Sequence, residues 1–146
     1  MDETQSELIK AWLLKAQHDL VAIRKLSEGP EAYLDTAIYH CQQVAEKAIK
    51  GFLVYRDQRF EKTHDLRILL ELALPYESGF SSLKDAAVLL TPYATEFRYP
   101  AILSSLHARS LKKRWKQPKK FWSLCSRFCL RKRTPKRALF RLLLPS

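Results

Sequence analysis

The chain has 146 residues, 47% of them hydrophobic, and a formal net charge of +11 at pH 7. That length gives one small domain with room for an appendage. No apolar run reaches the 18 residues of a membrane helix, and with only 3 Gly there is no glycine-rich phosphate loop, which excludes P-loop and Rossmann readings.

Apolar residues at Leu8, Trp12, Ala16, Leu20 and Ile23 recur at spacings of three and four, the stripe of one amphipathic helix. Gly29-Pro30 breaks it, and Pro30 can open the next, because the first helical turn has no use for its missing N–H. The second helix is predicted over about 31–56, with Leu34, Ala37, Ile38, Cys41, Val44, Ala45, Ala48, Ile49 and Phe52 inward. After a polar link, Thr63 or Asp65 can cap a third helix running to Leu74, with Leu66, Leu69, Leu70 and Ala73 inward and Pro75 ending it. A fourth begins at Ser81-Ser82, carries Leu83, Ala86, Ala87, Leu89 and Leu90, and stops at Thr91-Pro92, with Asp85 placed to favour its N-terminal dipole. No period-2 strand occurs. Short links between helices predict an all-α, up-and-down bundle of four to five helices, with the closing helix missing from the pattern after Pro100.

The charge comes apart at Pro100. Residues 1–100 hold 12 Lys/Arg against 15 Asp/Glu, a net of −3; residues 101–146 hold 14 Lys/Arg and no acid, a net of +14. The chain therefore divides into a bundle over 1–100 and a basic C-terminal tail over 101–146. At face value, the tail's cations interleaved with Trp115, Phe121, Trp122 and Phe128 suit phosphate contacts with base stacking, or an anionic lipid surface.

Three cysteines, Cys41, Cys125 and Cys129, make no even disulfide framework. The last two lack both CxxC spacing and nearby His, so no zinc site is expected. The acidic, polar start MDETQSELIK has no leader character, and a cytoplasmic protein is expected. No nucleophilic triad can be assembled: no Ser sits on an elbow motif.

Polar residues gather on the second helix. His40, Gln43, Glu46, Lys47 and Lys50 lie on roughly adjoining faces, with Gln42–Glu46 and Gln43–Lys47 four apart. One reading is a solvated face with weak intrahelical pairs. The other is a ligand face, to which His64 and the aromatic-flanked Arg98 of Phe97-Arg98-Tyr99 also belong. An Arg beside aromatic rings can grip phosphate while a base stacks nearby. Arg98 can equally stack on its neighbours and pair with Glu96.

Three strings stand in order: HCQQVAEKAIKGFL (His40 to Leu53), KTHDL (Lys62 to Leu66) and EFRYP (Glu96 to Pro100). With the opening WLLKAQHDLVAIRKL (Trp12 to Leu26), they resemble the HEPN family of small prokaryotic helical-bundle proteins over residues 8–100. The resemblance implies a four- to five-helix bundle, usually a homodimer. It is often paired with a minimal nucleotidyltransferase in a toxin–antitoxin-like module, with nucleotide or RNA as ligand. No cofactor and no metal are implied. Some branches are metal-independent ribonucleases with an Arg and a His four to six residues apart on a helix. Here the first His after Arg98 is His107, nine positions on and beyond Pro100, so no catalytic residue carries over. The matched positions that remain as ligand or partner contacts are His40, Gln43, Lys47, His64, Arg98 and Tyr99, while Gln43, Glu46 and Lys47 can equally be structural, holding neighbouring helices or a dimer seam. A nucleotidyltransferase-linked binding module is thus expected, with a ribonuclease toxin and a tail-borne nucleic-acid binder as the other classes.

The family pattern continues past RYP with a turn and an acidic, Ala- and Leu-rich helix. Written in GC-rich codons and read one base out, Lys112 to Trp122 (KKRWKQPKKFW) becomes EEALEAAEEVL, and the next three residues continue as EFV. Lys codons turn into Glu codons and Trp codons into Leu codons, so the shifted text is a strong helix former. The tail is expected to be the out-of-frame remnant of the family's last helix.

Overall fold

The structure, a computed structural model, describes residues 2–28, 33–95, 119, 120, 123 and 124. Arg98, Tyr99, the Gly29-Pro30 break, the side chain of Leu34, Cys125, Cys129 and nearly all of the basic tail lie outside the described residues. Four α-helices stand among those described, with no strand: α1 (Glu3–Ser27), α2 (Leu34–Tyr55), α3 (Leu66–Ala73) and α4 (Lys84–Leu90). The all-α bundle expected from the periodicity is what the chain forms.

Helix α1 starts where Asp2 accepts a hydrogen bond from the Gln5 amide at 2.6 Å, with Glu3 in the first turn and Arg24 and Lys25 in the last, each favourable to the helix dipole. Its buried line is Ser6, Ile9, Leu13, Ala16, Asp19 and Ile23. The expected stripe began one residue earlier, at Leu8 and Trp12, but Leu8 is 48% exposed. Leu8-Ile9 and Trp12-Leu13 are adjacent apolar pairs, so either phase satisfies the spacing. Ile9 and Leu13 are the buried members of those pairs, on the side from which Asp19 bonds His40 and Lys47 of α2.

Helix α2 packs antiparallel to α1. The hairpin is tied at one end by Gln5 Nε2 donating to the Val54 carbonyl at 2.7 Å, and at the other by the Tyr33 amide donating to Leu26 at 2.8 Å. The two backbones come close at Gly51, where an added Cβ would stand 3.2 Å from Trp12 Cβ. The predicted apolar face of α2 is buried throughout Ala37, Ile38, Cys41, Val44, Ala45, Ala48, Ile49 and Phe52. The helix ends in a Schellman turn: Gln58 N–H donates to Leu53 O at 2.9 Å and Asp57 N–H to Val54 O at 3.1 Å. Asp57 takes the left-handed conformation that turn needs, at φ 54°.

Helix α3 is capped by Asp65, which accepts from the Arg67 amide at 2.9 Å, and buries Leu66, Leu69, Leu70 and Ala73, as its spacing predicts. A turn at 74–76 follows, at Pro75. The next helical segment starts earlier than Ser81. Glu77 accepts from the Gly79 amide at 2.9 Å and opens a 3-10 turn over Ser78–Leu83, which runs straight into α4. A second 3-10 turn, Thr91–Ala94, closes it. Thr91 Oγ1 accepts from the Leu66 amide at 3.1 Å and donates to Ala87 O at 2.7 Å, joining the start of α3 to the end of α4. Phe80 meets Phe52 edge-on at 4.8 Å, so this half of the chain packs on the same core as the hairpin. Leu124, far along the basic segment, packs against that core too. Among the described residues, no helix is long and apolar enough to cross a membrane.

Candidate functional site

Two buried carboxylates organise the polar residues of α2. Asp19 reaches across from α1. Its Oδ1 lies 2.7 Å from His40 Nδ1, and its Oδ2 accepts from Lys47 Nζ at 2.6 Å. His40 and Lys47 are seven residues apart, so both face α1 two turns from each other. An ionised carboxylate only accepts, so His40 carries its proton on Nδ1. The Asp19 side chain is 9% exposed, against 25% for His40 and 21% for Lys47. The acid is sealed in while its two partners reach the surface.

Glu46 builds the second cluster within α2 and its following loop. Gln42, Glu46 and Lys50 stand at i, i+4 and i+8 and form one row along the helix. Lys50 Nζ donates to Glu46 Oε1 at 2.7 Å, and Gln42 Nε2 donates to Oε2 at 2.9 Å. His64, brought back by the loop after α2, places Nδ1 at 3.1 and 3.0 Å from the two oxygens. Gln42 also donates to the His64 carbonyl at 3.1 Å, and Gln43 donates to Gln42 Oε1 at 2.7 Å. Lys50 Nζ lies over the Trp12 ring at 5.6 Å and the Phe60 ring at 5.8 Å, where ring faces offset part of its lost hydration. Burial pushes the Glu46 carboxyl up, but the hydrogen bonds from Lys50, Gln42 and His64 and the charge of Lys50 outweigh it. The acid is held below its ordinary range.

The row Gln42, Glu46, Lys50 corrects the reading of a solvated face. All three residues are buried, Gln42 completely. Nor do Gln43 and Lys47 pair with each other: Gln43 bonds Gln42, and Lys47 bonds Asp19. His40, Gln43 and Lys47 do share the half-exposed side of α2, together with Tyr39, whose ring meets His40 edge-on at 5.5 Å. His64, on the loop after α2, is joined instead to the buried row through Glu46 and Gln42. Arg98 and Tyr99 lie outside the described residues. Asp19 is the residue that sequence reasoning missed. Its signal was an acid on the apolar side of α1, three residues after Ala16 and four before Ile23.

Chemically, the surface offers two imidazoles, each fixed through Nδ1 to a carboxylate, plus one half-buried ammonium and an amide. Such groups hold phosphate or hydroxyl oxygens by hydrogen bonds. Among the described residues no group of His, Cys, Asp and Glu is arranged to hold a metal ion. Cys41 is fully buried, and burial pushes its thiol up to about 12, which leaves it unreactive.

Neither the curated proteins nor the solved structures yield a match to this chain. The HEPN domain family does: its model matches residues 9–124, a span that runs past the charge break at Pro100 to the core-packed Leu124. Helical architecture, motif order and that match agree, and the chain belongs to the HEPN domain family.

Proposed function

We propose that this chain is a nucleotide- or RNA-binding regulatory bundle, homodimeric, that acts with a minimal nucleotidyltransferase as half of a toxin–antitoxin-like pair. Its family supports the general class, since a HEPN bundle is a nucleotide- or RNA-related or toxin-like module. The observation that carries the binding role is the half-exposed side of α2. There His40 and Lys47 are oriented by buried Asp19, and on the loop after α2 His64 is oriented by buried Glu46, so the acids stay out of a ligand's way. Arg98 and Tyr99, from the EFRYP motif, are the further phosphate and stacking contacts in this reading. Calorimetric titration of the full chain with ATP tests the binding role: saturable uptake is expected, and none contradicts it. Co-expression with a nucleotidyltransferase encoded beside the gene tests the pairing, which requires a complex that survives gel filtration.

The tail belongs to the same proposal as the out-of-frame remnant of the family's last helix. Three facts support it: the acid-free stretch 101–146, its abrupt start, and the helix spelled one base out. The coding DNA decides. Downstream of the Pro100 codon, the other frame is expected to read close to EEALEAAEEVLEFV, and any unrelated text refutes it.

A further inference from the structure

We infer that His64 Nε2 is the atom that meets a ligand phosphate, and that Glu46 is the residue that positions it; this rests on the nucleotide- or RNA-binding reading above. The Nδ1 of His64 lies 3.0 Å from Glu46, which fixes the orientation of the ring. The side chain is nevertheless 56% exposed, and no hydrogen bond among the described residues engages its Nε2. Protonated, the ring donates from both nitrogens at once: Nδ1 to Glu46, Nε2 to an anion.

The charges beneath the ring suit that task. A bare carboxylate behind the imidazole would repel a phosphate. Glu46 does not stand bare, because its side chain is 6% exposed and Lys50 compensates it at 2.7 Å. Lys50 is itself 7% exposed and held between Trp12 and Phe60, so it balances Glu46 without reaching the ligand. The Glu46–Lys50 pair adds no net charge beneath the ring. Its backbone is pinned as well, by Gln42 on the His64 carbonyl and by the Asp65 cap one residue on. Arg67 competes little for the ligand, since Asp65 takes its guanidinium with bonds of 3.0 and 2.6 Å. Lys62, exposed on the same loop, adds a second cation nearby in the chain. His40 is the weaker candidate, being 25% exposed with a ring against its edge.

A purely structural His64 needs only its Nδ1–H, and an Asn amide can supply that bond to Glu46 while lacking any group at Nε2. ATP is the probe, titrated calorimetrically into the full chain and into His64→Asn at one pH and salt concentration. The expected result is an unchanged melting temperature with affinity lowered about tenfold, one phosphate hydrogen bond to a charged donor. If His64→Asn binds ATP as tightly as the wild type, the phosphate contact is overturned while the binding role stands. If the wild type binds no ATP, the phosphate contact and the nucleotide-binding role both fall. Should His64→Asn fold poorly, long-range proton–nitrogen NMR of the wild-type ring replaces it. ATP must then shift the His64 Nε2 resonance with Nδ1 still protonated; an unmoved Nε2 overturns the inference.

Discussion

Glu46 and Lys50 form an ion pair at 2.7 Å whose two side chains are only 6% and 7% exposed. One turn of helix separates them, and neither has water to fall back on. Removing one partner strands a buried charge, which costs about 3–5 kcal/mol. Lys50→Ala and Glu46→Ala should each lose that much in urea unfolding. Glu46→Met with Lys50→Met strands no charge, so the double variant should be more stable than either single one. Single variants within about 0.5 kcal/mol of the wild type would mean the pair is not buried.

The same pair sets an acid limit. Glu46 is held below its ordinary carboxyl range, so the folded state binds its proton less readily than the unfolded state. Its contribution is complete above the unfolded value of about 4.5 and is lost as pH falls through the lower folded value. Lys50→Met removes one lowering hydrogen bond and the lowering charge, so that burial is opposed only by Gln42 and His64 and the carboxyl moves up from its wild-type position. Between pH 5 and pH 3, the wild type should therefore lose more stability than Lys50→Met. Parallel losses would show that Lys50 does not hold the Glu46 carboxyl down.

Gly51 sits inside α2, where Gly costs about 1 kcal/mol relative to Ala. It is tolerated because an added Cβ would stand 3.2 Å from Trp12 Cβ, an atom fixed to the α1 backbone. Gly51→Ala should come out near neutral, its helix gain offset by that contact. Gly51→Leu must part the two helices and should destabilise by about 2 kcal/mol or more, typical of overpacking. Thermal melts distinguish the two, and a Leu variant as stable as the wild type would contradict the close approach.

Cys41 is fully buried with its thiol pushed up to about 12. At pH 8 almost none of it is thiolate, and reagents cannot reach it. Iodoacetamide followed by peptide mapping should leave Cys41 unmodified in native protein and label it in urea. Rapid native labelling would mean that the α2 core opens on the timescale of the reaction.

Much of this architecture was legible because helix spacing reports burial directly. The apolar rows of α2 and α3 read correctly, and of the two cap candidates, Thr63 and Asp65, the structure uses Asp65. The phase of α1 did not, since paired apolar residues at Leu8-Ile9 and Trp12-Leu13 fit two registers. The row Gln42, Glu46, Lys50 looked solvated because helical spacing cannot reveal a loop folding over a polar face. Phe60 and His64, ten or more residues beyond, supply that cover. Asp19 pairs with residues 21 and 28 positions away, a relation that no local pattern contains.

Ligand binding is assigned to the bundle rather than to its basic tail, and 14 cations will attract any polyanion whether or not they were selected to do so. The most direct test is ATP affinity of the full chain with Lys112, Lys113, Arg114, Lys116, Lys119 and Lys120 all changed to Gln. If the bundle holds the nucleotide, affinity at physiological salt should change less than about threefold. A loss of about tenfold or more would place the binding in the tail and contradict the account.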